Sequence, residues 1–177
     1  MGDVYLLDTN MLGPFADDRP EGEVQENTRR FREHLRATRD ARFAISAITV
    51  GEIEWGLRSA PPHFPPEKEK EIRRIVASFD LVFDVSRATA AGAYGSARAS
   101  LFAKYAPKTE RRRRGRARHI EDLLEMPGAK PLGIQENDLW IASVAMEHNL
   151  VLLSGDNNLQ HIKGVCPNLH LENWLEP

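Results

Sequence analysis

Residues 4–10 read Val-Tyr-Leu-Leu-Asp-Thr-Asn, and the rest of the chain is organised around them. Four apolar residues run directly into an acid, a hydroxyl and an amide, which is typical of a short strand buried on both faces. Asp8 then lies at the carboxyl end of that strand, the edge where open α/β sheets bind ligands. A carboxylate beside a core needs a partner, and a backbone NH group, an arginine or a metal ion can each serve.

The composition indicates one soluble globular domain spanning residues 1–177, with 41% hydrophobic and 28% charged residues. A net charge of -2 does not by itself predict a polyanionic partner. The single cysteine, Cys166, excludes an internal disulfide and suits a reducing compartment. Neither a signal peptide nor an apolar run of about 20 residues is visible, so we expect a cytoplasmic protein without a membrane span.

Short apolar runs alternate with amphipathic segments along the chain. Besides the opening strand, we predict strands over residues 42–46, 81–85, 150–154 and 169–171. We predict helices over residues 24–38, 48–58, 67–79, 86–105, 119–125 and 136–148, and a short one from residue 159. This alternation predicts the α/β class, as a three-layer α/β/α sandwich with a central, mainly parallel sheet.

Three more acids are predicted at the edge of the sheet where Asp8 lies. Glu52 is in the first turn of the helix after the second strand, Asp138 is at the start of a helix, and Asp156 follows the fourth strand. Strand carboxyl ends and the helix starts that follow them share one edge of a parallel sheet. Four clustered carboxylates repel one another unless cations are bound. Oxygen ligands without cysteine or paired histidines select Mg²⁺ or Mn²⁺.

Each acid also has a purely structural explanation. Asp8 can cap the turn that follows its strand. Glu52 fits a capping box that starts at Thr49. Asp138 is favoured by the dipole at a helix start, and Asp156 lies in a Gly-Asp-Asn-Asn turn. None of these separate explanations accounts for all four acids being expected at the same edge of the sheet, whereas a shared cation site does.

Such a site suits phosphodiester hydrolysis. A bound ion makes hydroxide available near neutral pH and neutralises the phosphate, so no nucleophilic side chain is required. Thr9, Asn10 and Ser154 are predicted to orient a carboxylate or a metal-bound water.

At these residues the sequence resembles the PIN domain family, and most closely its VapC-type toxin ribonucleases. The matching pieces are residues 6–10, residues 45–53 with Gly56, residues 137–142 and residues 152–156. Each piece alone is unspecific, but the four occur in the family's order with the expected strands and helices between them.

The resemblance implies an α/β/α sandwich and an Mg²⁺- or Mn²⁺-dependent endoribonuclease whose acidic quartet is Asp8, Glu52, Asp138 and Asp156. It further implies a homodimer and a small antitoxin protein encoded alongside. The chain is longer than the compact family pattern, and the excess falls in a basic insertion at about residues 97–130.

The insertion contains a run of six arginines that either contacts RNA phosphates or forms a solvated segment. These residues are Arg111, Arg112, Arg113, Arg114, Arg116 and Arg118. His119 is a weaker candidate for RNA contact. Trp55, close to Glu52, is predicted to belong to a dimer or antitoxin surface.

Two other functions compete with the nuclease. A haloacid-dehalogenase-like phosphatase also begins with a buried strand and an Asp, but it places a second acid where this chain has Asn10. The other alternative is a catalytically silent PIN-like module that binds RNA or protein.

Overall fold

A computed structural model describes residues 3–108, 119–122, 124–126 and 130–176. The strands are β1 (Val4–Leu7), β2 (Arg42–Ser46), β3 (Val82–Phe83), β4 (Glu125–Met126), β5 (Lys130–Pro131), β6 (Val151–Leu153) and β7 (His170–Glu172). Five of them form one sheet in the order β3-β2-β1-β6-β7, and every neighbouring pair is parallel. β4 and β5 form a separate antiparallel pair that the sequence did not predict. The opening strand, β1, is therefore the centre of the sheet.

The helices of the described residues largely follow the predicted pattern. They are α1 (Leu12–Ala16), α2 (Glu26–Ala37), α3 (Ala47–Arg58), α4 (Pro66–Ala77), α5 (Gly95–Tyr105), α6 (Glu136–His148) and α7 (Leu159–Lys163). Short 3-10 turns cover Thr9–Met11 and Ile120–Asp122, and the latter replaces the helix predicted over 119–125. The long helix predicted over 86–105 is divided into a π-helical segment, Thr89–Tyr94, and α5.

Successive side chains of β1 point to opposite faces of the sheet and join two separate apolar layers. Leu6 packs in a layer that includes Leu101 of α5 and Leu139 of α6. Leu7 packs on the opposite face in a layer that includes Phe31 of α2. Each such side chain contributes roughly 1.5–3 kcal/mol when it is fully buried. The two layers and the sheet between them confirm the predicted α/β/α sandwich.

The start of α3 differs from the sequence prediction in a way that concerns Glu52. Ser46, the last residue of β2, has an extended backbone, and its hydroxyl accepts a hydrogen bond from the Thr49 NH group at 3.0 Å. The prediction that Thr49 caps this helix, and forms a capping box with Glu52, is wrong. The strand passes into the helix without a loop, so its last residue is the cap. A cap of this kind contributes about 1 kcal/mol, and it leaves Glu52 free for other contacts.

The segment predicted as an insertion contributes to the core. Ala97 and Leu101 on α5 are fully buried, and so are Ile120 and Leu124 beyond it. The arginine run at 111–118 lies outside the described residues. Among the helices that the structure describes, none has the length and hydropathy needed to cross a membrane.

Candidate active site

The structure brings all four predicted carboxylates to one cleft at the carboxyl edge of the sheet. Asp8 follows β1, Glu52 projects from α3, Asp138 lies in the first turn of α6 and Asp156 lies in the turn after β6. All four line an open cleft of about 660 Å³. Residues from both ends of the chain therefore build a single acidic site.

Asp8 is the most buried of the four, with 5% of its surface exposed. One of its carboxylate oxygens, Oδ1, accepts a hydrogen bond from the Thr9 NH group at 2.8 Å, so Asp8 does cap the turn after β1. The other, Oδ2, accepts from the Ser154 hydroxyl at 2.6 Å and from the Asn10 amide at 2.8 Å. Burial raises the pKa of Asp8, and the hydrogen bonds from Ser154 and Thr9 oppose that rise.

Ser154 connects Asp8, which follows β1, to the turn after β6. Its hydroxyl donates to Asp8 and accepts from the Asp156 NH group at 3.0 Å. The Asn10 side chain bridges the same strand ends, because its carbonyl oxygen accepts from the Gly155 NH group at 3.0 Å. The structure therefore places the predicted orienting residues Asn10 and Ser154 in direct contact with the carboxylates and with each other, at 3.2 Å.

Glu52 is held by two side chains from other elements. Its Oε2 atom accepts a hydrogen bond from the Thr9 hydroxyl, and its Oε1 atom accepts from the Asn137 amide at 2.9 Å. Sequence reasoning did not assign a role to Asn137. Asn137 lies beside Asp138 at the start of a helix. That position could have been recognised from the sequence, because polar residues at helix starts lie at the same edge of the sheet as the carboxylates.

Asp138 carries the largest pKa shift in the site. Its Oδ2 atom accepts a hydrogen bond from the Gln135 NH group at 2.8 Å, and the Gln135 side chain completes a reciprocal capping box. The pKa of Asp138 is raised to about 7, chiefly by burial; the charges of Asp8, Asp156 and Glu52 also raise it, and the capping bond from Gln135 lowers it. The capping box fixes the position of the Asp138 side chain, but it does not neutralise the negative charge of the carboxylate.

Among the residues that the structure describes, no positive side chain balances these acids. Within the described ranges, none of the four carboxylates forms an ion pair with lysine, arginine or histidine. The described lining of the cleft also contains none of these residues. An all-oxygen site with uncompensated negative charge fits a divalent cation such as Mg²⁺ or Mn²⁺.

A second group of possible metal ligands, His119, Glu121 and Glu136, fits a cation less well. Their ligand atoms lie within 4.8 Å of one another. However, the Glu136 carboxylate already accepts hydrogen bonds from the Arg98 guanidinium and from the Ile120 NH group. Because Arg98 already balances the charge of Glu136, the cleft is the better cation site.

Solved structures with the same fold span the whole chain. VapBC2 from Rickettsia felis, bound to a DNA fragment from its promoter, is 22% identical, with coverage of 97% of this chain and 98% of that one and a TM-score of 0.58. VapBC-1 from nontypeable Haemophilus influenzae is 22% identical, with coverage of 98% and 99% and a TM-score of 0.58. FitAcB from Neisseria gonorrhoeae is 18% identical, with coverage of 98% and 99% and a TM-score of 0.58.

The family is shown by the sequence itself. A comparison with curated proteins found no match. The profile of the PIN domain family, in contrast, matches residues 5–165. This match includes β6, all of β1 but its first residue, and all four carboxylates of the cleft. The chain therefore belongs to the PIN domain family.

Proposed function

We propose that this protein is an Mg²⁺- or Mn²⁺-dependent endoribonuclease, and that it is the toxin of a type II toxin–antitoxin pair. The observation that carries the proposal is the cleft in which Asp8, Glu52, Asp138 and Asp156 meet without a positive side chain among the described residues. Membership of the PIN domain family supports nuclease chemistry. The shared fold with VapBC structures supports the toxin assignment.

The residues of the cleft supply position and charge to the reaction. A divalent cation, when bound, makes hydroxide available near neutral pH and neutralises the phosphate. Ser154 and Asn10 fix the orientation of Asp8, and Thr9 and Asn137 fix that of Glu52. Because the pKa of Asp138 is raised to about 7, part of the metal-free molecules keep this proton at neutral pH. That proton has to leave before both oxygens of Asp138 can act as ligands.

The direct test is cleavage of single-stranded RNA by the purified protein. We expect cleavage with Mg²⁺ or Mn²⁺, loss of cleavage with a chelator, and recovery when the metal ion is restored in excess. RNA that is bound but stays intact with added Mn²⁺ would instead support the silent binding module.

Replacing Ser154 with alanine is expected to weaken Mn²⁺ binding or activity by roughly 10- to 100-fold, because groups that orient metal ligands typically have effects of this size. The change removes the hydroxyl that joins Asp8 to the Asp156 backbone. The measurement is the Mn²⁺ concentration that gives half-maximal cleavage, together with calorimetric Mn²⁺ titration.

Ser143→Ala is the matched control for this change. Ser143 is also buried, but its hydroxyl donates to the Leu139 carbonyl within α6 and is not part of the cleft. An equal Mn²⁺ requirement in the two variants would show that Ser154 has no special role in the site.

The partners belong to the same proposal. We infer a small antitoxin encoded alongside, a homodimer, a cytoplasmic location and phosphate contacts from the arginine run at 111–118. Copurification with the product of the adjacent reading frame tests the antitoxin. A monomeric mass in solution would contradict the homodimer.

A further inference from the structure

Trp55 is unusual among the aromatic residues of this chain. Its ring is 73% exposed, whereas every other phenylalanine, tyrosine and tryptophan is buried or half-buried. Even Trp140, which is half-buried, stacks on Tyr94 with 3.6 Å between the ring centroids. An exposed ring of this size forgoes the stabilisation that burial provides. Its position therefore calls for an explanation.

The ring lies in the acidic cleft. Trp55 lines it together with the four carboxylates and follows Glu52 by three residues on α3, so the two side chains are neighbours on the helix surface. Gly51 and Gly56 of α3 also line the cleft. Apart from their chain neighbours and the backbone of α3 itself, no described atom lies within 4 Å of where a Cβ would stand on either residue. The space beside the ring is therefore open to a flat ligand.

Two side-chain amides line the cleft with the ring. The Gln135 side chain uses its oxygen to cap α6, and the Asn137 side chain uses its NH₂ group to hold Glu52. In the described part of the chain, no hydrogen bond involves the Gln135 NH₂ group or the Asn137 side-chain oxygen. One donor and one acceptor thus remain available, and these are the groups that read the edges of unpaired bases.

We propose that Trp55 stacks against an unpaired base of the RNA that is bound in the cleft. This inference rests on the proposed nuclease function. A duplex keeps its bases stacked on one another, so only an unpaired nucleotide can present a face to the ring.

The charge of the cleft favours a nucleotide over a second copy of this chain. Without a bound cation, the described lining, which has four carboxylates and no positive side chain, repels the phosphates of RNA as well. Base stacking does not depend on charge and contributes about 1–3 kcal/mol for each base. Two copies of this chain that met here would bring two acidic clefts together. A nucleotide instead has a phosphate that can bind to the cation held by the four carboxylates.

The test measures binding separately from cleavage. Fluorescence anisotropy with a labelled single-stranded RNA is recorded in the cleavage-deficient Asp8→Asn background with Mn²⁺ present. Trp55→Leu is expected to raise Kd by roughly 5- to 100-fold, whereas Trp55→Phe keeps most of the affinity because the ring face remains. Duplex RNA is expected to bind weakly to the parent protein and to show no such difference.

Val82→Ala is the matched control, because Val82 is an exposed apolar residue of β3 that does not line the cleft. Its Kd is expected to be unchanged. Circular dichroism confirms that every variant is folded. As a second readout in the active protein, Trp55→Leu should raise KM for single-stranded RNA more than it lowers kcat.

The outcomes separate this inference from the proposed function. Metal-dependent cleavage with equal Kd for Trp55 and Trp55→Leu proteins overturns the stacking role and leaves the nuclease in place. Binding that depends on Trp55 without any cleavage by the parent enzyme overturns the nuclease and keeps the stacking role. Loss of self-association in Trp55→Leu with no change in RNA affinity identifies the ring as a contact between copies and also overturns the inference.

Discussion

Asp8→Asn is expected to lower metal-dependent RNA cleavage by about a thousandfold or more, and Asp138→Asn to have an effect of the same order. Each change removes a negative charge from the cleft, where a bound ion supplies several kcal/mol of transition-state stabilisation. At Asp8 the amide also places an NH₂ group where one oxygen now accepts from Ser154 or Thr9. The measurement is the initial rate of cleavage of single-stranded RNA with saturating Mn²⁺.

The control for both changes is Asp84→Asn. Asp84 also follows a strand, β3, but it is exposed and does not line the cleft. This variant is expected to cleave RNA at the parent rate. Activity that survives in Asp8→Asn or in Asp138→Asn would remove the assignment of the quartet as metal ligands.

The metal-free protein is expected to lose stability as the pH rises from about 4 to about 7, and to level off above. Asp138 has an ordinary pKa of 3.8 in the unfolded chain and about 7 in the folded one, so within this window the folded state binds the extra proton. Raising the pH removes that proton and destabilises the fold. Asp8, whose pKa is also raised, acts in the same direction. Allowing for the partial exposure of Asp138, the loss is on the order of 2 kcal/mol.

Urea unfolding with a chelator at about pH 5 and about pH 8 measures this loss. Excess Mn²⁺ should make the protein more stable at about pH 8 than at about pH 5. The reason is that the carboxylates bind the ion when they are deprotonated, and binding stabilises the folded state. Asp138→Asn should make the metal-free protein less sensitive to pH. Greater stability at the higher pH without metal would show that these carboxylates are not held in a repulsive cluster.

The layout of the site could be predicted from the sequence because it follows from strand direction. Apolar runs placed Asp8 and Asp156 after two strands, and parallel pairing brings the carboxyl ends of those strands together. The boundaries of β2 and α6 were predicted at the residues where the structure has them. Buried strands and long helices carry strong periodic signals, so these parts depend little on the rest of the fold.

Other features depended on contacts that the sequence does not contain. Ser46 and Thr49 are both good caps three residues apart, and only the direct passage from β2 into α3 decides between them. The amide of Asn137 contacts Glu52 although 85 positions separate the two residues. The exposure of the Trp55 ring beside the acidic cleft also follows from the packing of α3, whereas its place on a dimer or antitoxin surface stays a prediction. Tertiary packing decided each of these.

β1 lies between β2 and β6, so the centre of the sheet joins the beginning of the chain to its last part. Translation proceeds from Asp8 towards Asp156. A nascent chain that ends at α5 contains β1 with only one of its two neighbours, and it contains two of the four carboxylates. The proposed ribonuclease would be synthesised beside messenger and ribosomal RNA that it could cleave. The order of its strands leaves the cleft incomplete until Asp138 and Asp156 have been synthesised.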